Sequence, residues 1–217
     1  FKDVNGAVST TATLDQSTFG RIFIAQTDGQ LRAKITDPEE NKLYGIHYNP
    51  DDNLHYAVLL DNALEQLIEE EDQPIAPMED LPSKQYLIDD GGKEESVVML
   101  SDQSNSETVL DFLIVYTNQA LSEVGSVSAM NNLIALGVAM ANDAHATTGT
   151  GIVVNLAHSE ELSYDGDFND NGVILGHIQG KYDGNMDDVH AIRDNYGADF
   201  VSLIVGNGDS SYSSGIG

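Results

Sequence analysis

Six histidines, His47, His55, His145, His158, His177 and His190, are the side chains of this sequence best suited to hold a transition metal. No two of them have the i, i+4 spacing that sets two imidazoles on one helical face. No glutamate stands beside a histidine pair to act as general base on a metal-bound water. Cysteine is absent, which excludes disulfides, zinc–thiolate sites and cysteine nucleophiles, and no serine triad can be assigned. These 217 residues are therefore expected to carry no catalytic residue. His190 shares a stretch with Met186, Val189, Ile192 and Tyr196 at helical spacing, so it reads as a packing or helix-surface residue, as do His145 and His158.

Oxygen ligands are the other chemical possibility. Asp167-Phe168-Asn169-Asp170-Asn171-Gly172 fits the start of a calcium loop, but the twelfth position is Ile178 where a bidentate glutamate belongs. The same residues also suit a plain turn. Asp111 lies inside an apolar run and Asp199 opens another, and a carboxylate in such a place needs a partner. Nearby backbone amides, capped by a strand-end carboxylate, can supply that partner. Gly206-Asn207-Gly208 lacks the further glycine and the Lys-Ser/Thr pair of a phosphate loop, so nucleotide binding is not expected.

Thirty-six Asp and Glu against nine Lys and Arg give a formal net charge of −27. Such a chain repels phosphate backbones and anionic lipid, so neither nucleic acid nor membrane is an expected partner. No apolar run approaches the roughly 20 residues of a membrane span. Solubility or affinity for cations explains the charge equally well.

The elements that would position these residues fall into three zones. Four short β-favouring runs lie between Gly20 and Asp61, separated by Asp28-Gly29, Asp37-Pro38 and Asn49-Pro50-Asp51-Asp52-Asn53, and predict a small antiparallel sheet. We assign residues 1–68 to this β-rich domain. Residues 69–108 are acidic and rich in Pro, Gly and Ser, as in a linker, with Val97 to Leu100 as a possible strand. Residues 109–217 alternate strand and helix. Val109 to Tyr116 is a nearly continuous apolar run, as in a strand covered on both faces. Met130 to Ala144 keeps helical spacing ahead of Gly149, and Ile152 to His158 is a second strand. Met186 to Tyr196 forms a second helix with Asn185 as N-cap, and Phe200 to Val205 is a third strand. That order predicts a mostly parallel sheet with two helices, interrupted at Gly215-Ile216-Gly217 as a fourth strand begins.

Met186 to Asp199, running into Val201-Ser202-Leu203, resembles the second helix and third strand of reprolysin-like (adamalysin-type) metzincin zinc metallopeptidases. Phe112 to Thr117, Val138 to Ala144 and Val154 to Tyr164 match in order and spacing, so the resemblance covers residues 109–217. It implies a small β proregion followed by a truncated metzincin-like upper subdomain, cut before the His-Glu-x-x-His helix. It further implies a secreted zinc endopeptidase precursor with protein or peptide substrates and a proregion packed on the peptidase domain. Zinc would be held by ligands outside this chain. Gly215, Ile216 and Gly217 would open the strand that binds substrate main chain, and Asp111 and Asp199 would belong to a structural calcium site. With no cysteine, a thiol-on-zinc latency switch is impossible here. The alternative is a non-catalytic, cation-binding secreted module built on the same subdomain.

Overall fold

The computed structural model describes residues 6–15, 17, 19–60, 107–166, 171–206 and 215–216. Residues 69–106 of the expected linker, including Val97 to Leu100, lie outside the described residues, as do 167–170 and Gly217. The described residues before Asp61 and after Ser106 belong to one compact unit.

The first sheet has five antiparallel strands in sequential order: β1 (Val8–Thr13), β2 (Arg21–Thr27), β3 (Gln30–Asp37), β4 (Lys42–Asn49) and β5 (Leu54–Leu60). The sequence indicated four of them. The fifth, β1, is a polar Ser/Thr-rich edge strand paired only with β2, without the hydrophobic alternation that marks the others. Asp28 and Gly29 connect β2 to β3 with φ of 50° and 79°, the left-handed pair that a two-residue hairpin turn requires.

The second sheet is built from β6 (Thr108–Thr117), β7 (Ile152–Leu162), β8 (Phe200–Ile204) and β9 (Gly215–Ile216) in the order β7-β6-β8-β9. β6 runs parallel to both β7 and β8, while β9 is antiparallel to β8. The register between β6 and β7 slips between Phe112 and Leu113, leaving Ala157 as an extra residue on β7.

Four described helices accompany the sheets, two more than expected: α1 (Asn118–Val124), α2 (Val127–Thr148), α3 (Asn171–Gln179) and α4 (Asp188–Tyr196). α1 is only seven residues long, capped by the Thr117 hydroxyl on the Ala120 amide, and is too short to show a period. α3 contains Gly172 and Gly176, which hide it from propensity arguments. α4 starts later than its apolar spacing implied. Met186 sits at φ 52°, outside helical geometry, so the N-cap position falls to Asp187 and not Asn185. Gly149 ends α2 in the left-handed conformation, as its position indicated.

α2 lies between the two sheets. Ala135 and Leu136 pack with Phe23, Ala25 and Ala7 of the first sheet's side, while Met130 and Ile134 pack with Tyr116, Ala120 and Leu156 of the second. A helix with two buried faces needs apolar residues nearly all round, and here that arises from burial within a protein core. No single described helix is long and apolar enough to cross a membrane. The opposite face of the second sheet sends Leu113, Val115 and Leu203 against Ile174 of α3 and Val189 of α4. β6 is thus covered on both sides, which explains its continuous hydrophobic run.

Polar contacts join α2 to the first sheet as well. Arg21 Nε lies 3.3 Å from Asp143 Oδ2, the Ser126 hydroxyl donates to Gln30 Oε1 at 2.9 Å, and Asn132 Nδ2 donates to the Gln30 carbonyl at 2.9 Å.

Candidate functional site

The two aspartates singled out from sequence stand together. β6 and β8 are parallel neighbours, so Asp111 near the start of one meets Asp199 just before the other. The Asp111 amide donates to Asp199 Oδ2 at 2.9 Å, and the Asp199 amide donates to the Asp111 carbonyl at 2.7 Å. Asn155 of β7 donates its side-chain amide to Asp111 Oδ1 at 2.6 Å. The Phe112 and Phe200 rings stack beside them with centroids 5.2 Å apart. Backbone and side-chain amides thus give both carboxylates a hydrogen-bond partner.

The opposite end of β8 carries β9, where Gly215 pairs with Ile204 and Ile216 with Leu203. Among the described residues β9 is the last strand on that side of the sheet. Gly217 lies outside the described residues. The strand start expected to contact substrate and the aspartates expected to hold calcium thus sit at opposite ends of the parallel strands.

The histidines are dispersed. His158 stacks on Tyr196 at 3.8 Å between centroids, and its Nε2 lies 2.9 Å from Glu160. His190 Nε2 donates to the Gly180 carbonyl at 3.2 Å, and His145 Nδ1 lies 3.0 Å from the Thr150 hydroxyl. His55 Nε2 accepts from the Leu31 amide at 2.9 Å. Among the described residues no three His, Asp or Glu side chains converge on a point that could hold a metal ion. The described residues do not fit a zinc centre. As for the calcium-loop pattern, Asn171 and Gly172 begin α3, so that segment is not an open loop at its sixth position.

One pairing escaped the sequence reading. The Tyr164 hydroxyl and His177 Nδ1 are 2.9 Å apart at the edge of a cavity of about 370 Å³, which Asp165 and Asn185 also line. Tyr164 is buried and follows the C-terminal end of β7, while His177 lies in the last turn of α3. Only the unrecognised helix brings them together. On β6, burial raises the Tyr116 phenol above its usual range, with Glu161 and Glu160 of β7 adding to the shift.

Over 119 residues the chain is 36% identical to a peptidyl-Asp metalloendopeptidase of Xanthomonas campestris pv. campestris, an alignment covering 52% of this chain and 27% of that protein. Over 131 residues it is 31% identical to a peptidyl-Asp metalloendopeptidase of Stenotrophomonas maltophilia, covering 58% of this chain and 30% of that protein. The chain spans less than a third of the length of these curated relatives. No family model matches the sequence, and no solved structure matches the fold.

Proposed function

We propose that this chain is the N-terminal part of a secreted zinc-dependent metalloendopeptidase precursor acting on protein or peptide substrates. The observation that carries the reading is the 36% identity, over 119 residues, to a protein named as a metalloendopeptidase. The resemblance of residues 109–217 to the upper subdomain of reprolysin-like metzincins supports it, and the second sheet has a compatible form. Three parallel strands end on a short antiparallel strand, the arrangement to which an extended peptide adds by main-chain hydrogen bonds. In this reading Gly215, Ile216 and Gly217 open the substrate-binding strand, and the first sheet belongs to a proregion packed against the peptidase domain through α2. The names of the relatives make aspartyl peptide bonds the first substrates to try.

The zinc ligands would come from residues outside the 217. The test is the coding sequence downstream of Gly217. A His-Glu-x-x-His there within roughly 60 residues supports the proposal, and a stop codon or an unrelated domain in its place overturns it.

A further inference from the structure

Among the described residues four strands have an edge that no other described strand pairs: β1 and β5 on the first sheet, β7 and β9 on the second. Such an edge offers its main-chain N–H and C=O groups to any extended strand, and proteins guard it with charges, bulges, shortness or a covering element. Three of the four are guarded. β1 is polar and lies against α2, β7 carries the extra residue Ala157 and the charges of Glu160 and Glu161, and β9 has two described residues. β5 has none of these devices. Its seven residues, Leu54–Leu60, include no Asp, Glu, Lys or Arg, in a chain where those types make up 21%.

α2 packs across β1, β2 and β3, whereas β5 is exposed at all seven positions. Leu54, Tyr56, Val58, Leu59 and Leu60 are each 39–60% exposed. The His55 ring turns back onto the sheet, where Nε2 accepts from the Leu31 amide at 2.9 Å, so it does not shield the outer edge. Side chains alternate along a strand, which puts Leu54, Tyr56, Val58 and Leu60 on one face.

That row is symmetric about Ala57. An antiparallel strand of the same sequence, centred there, sets Leu54 opposite the second copy's Leu60, Tyr56 opposite its Val58, and Ala57 opposite itself. Aliphatic pairs and aromatic–β-branched pairs are favourable cross-strand neighbours. A two-fold contact requires a self-complementary patch, and β5 is one. Two copies each carrying a net charge of −27 repel over most of their surface, and β5 is a stretch free of carboxylates on which they can meet.

We propose that β5 is a self-association edge, on which a second copy of this chain pairs antiparallel about Ala57 and joins the two five-stranded sheets into one continuous sheet. The inference concerns the first sheet and does not rest on the peptidase reading.

The test is sedimentation velocity of the 217-residue chain across about 1–500 μM. A reversible monomer–dimer equilibrium is expected, with Kd on the order of 10 μM, weak because one strand edge is a small interface. Added NaCl should tighten it by screening the repulsion between copies. Val58 faces Gly45 of β4, so Val58→Lys has room, and its charge on the edge should weaken association at least about tenfold. Val173→Lys makes the same charge change on exposed α3 and should leave association unchanged.

The chain has no cysteine, so one introduced thiol reports the register. Directly opposite residues in an antiparallel pair lie about 4.5–5.5 Å apart between Cα atoms, within disulfide reach. Mild oxidation of Ala57→Cys should therefore give a covalent dimer, whereas Leu54→Cys, whose two copies would stand roughly 20 Å apart, should not. A chain that stays monomeric throughout overturns the proposal, as does undiminished association of folded Val58→Lys. Cross-linking through Leu54→Cys but not through Ala57→Cys does the same, and decides the matter even where Val58→Lys fails to fold.

Discussion

Gly206, two residues past the end of β8, is a position where the packing of the second sheet makes a sharp demand. A Cβ placed there would stand 2.4 Å from Gln119 Cγ, 2.9 Å from the Ala120 nitrogen and 2.9 Å from the Gln119 carbonyl carbon. The glutamine side chain can rotate away, but the other two atoms are backbone in the first turn of α1. That turn is fixed by the Thr117 cap, whose hydroxyl accepts from the Ala120 amide at 3.1 Å. Gly206→Ala must therefore shift α1 or the chain after β8, an overpacking strain of about 1–3 kcal/mol. At roughly 2–4 °C per kcal/mol for a unit of this size, Tm should fall by several degrees. Gly137, exposed in mid-α2 with nothing within 4 Å of its would-be Cβ, is the internal control. Gly137→Ala should stabilise by about 0.5–1 kcal/mol through helix propensity. Thermal and urea unfolding of both variants, followed by circular dichroism, supply the comparison. A Gly206→Ala protein as stable as the parent would refute the close approach of this segment to α1.

Asp199→Ala removes the acceptor of the Asp111 amide and should cost about 1 kcal/mol in EDTA; a loss seen only when Ca²⁺ is present would favour a calcium site instead. Phe23→Ala empties a buried position between the first sheet and α2, and should cost about 3–5 kcal/mol. Because α2 also packs on the second sheet, near-UV and far-UV transitions of that variant should fall together; separate transitions would show that the two sheets unfold independently. Tyr116 has a raised pKa from burial first, so its neutral form is favoured in the folded state. The associated stability is complete below the ordinary tyrosine pKa of about 10 and is lost as pH rises through the folded value. Tyr116→Phe should lessen the decline in stability above about pH 10, as measured by urea unfolding across that range.

The strands were more legible than the helices, for physical reasons. β6 reads directly because a strand covered on both faces is apolar through most of its length, with Leu113 and Val115 on one side and Tyr116 on the other. α2 is visible through its spacing and its terminal Gly149. α3 contains two glycines, α1 is a single capped segment, and β1 is polar, so none carries a periodic signal. Among site residues, Asp111 and Asp199 stood out singly because one lies inside an apolar run and the other opens one. Their mutual hydrogen bonds span 88 residues and follow only from the adjacency of β6 and β8. The Tyr164–His177 pair depended on α3, which local sequence does not reveal.

The proposal that this chain is part of a metalloendopeptidase is tested most directly by proteolysis with the full-length gene product. Purified full-length protein, allowed to mature, should cleave casein and aspartyl-containing peptides. Cleavage should stop with a chelator and return on adding Zn²⁺, while the 217-residue chain alone, without a converging metal-ligand set among its described residues, should be inactive. Absence of chelator-sensitive cleavage by the mature full-length protein, or chelator-sensitive cleavage by the 217-residue chain itself, would contradict the account.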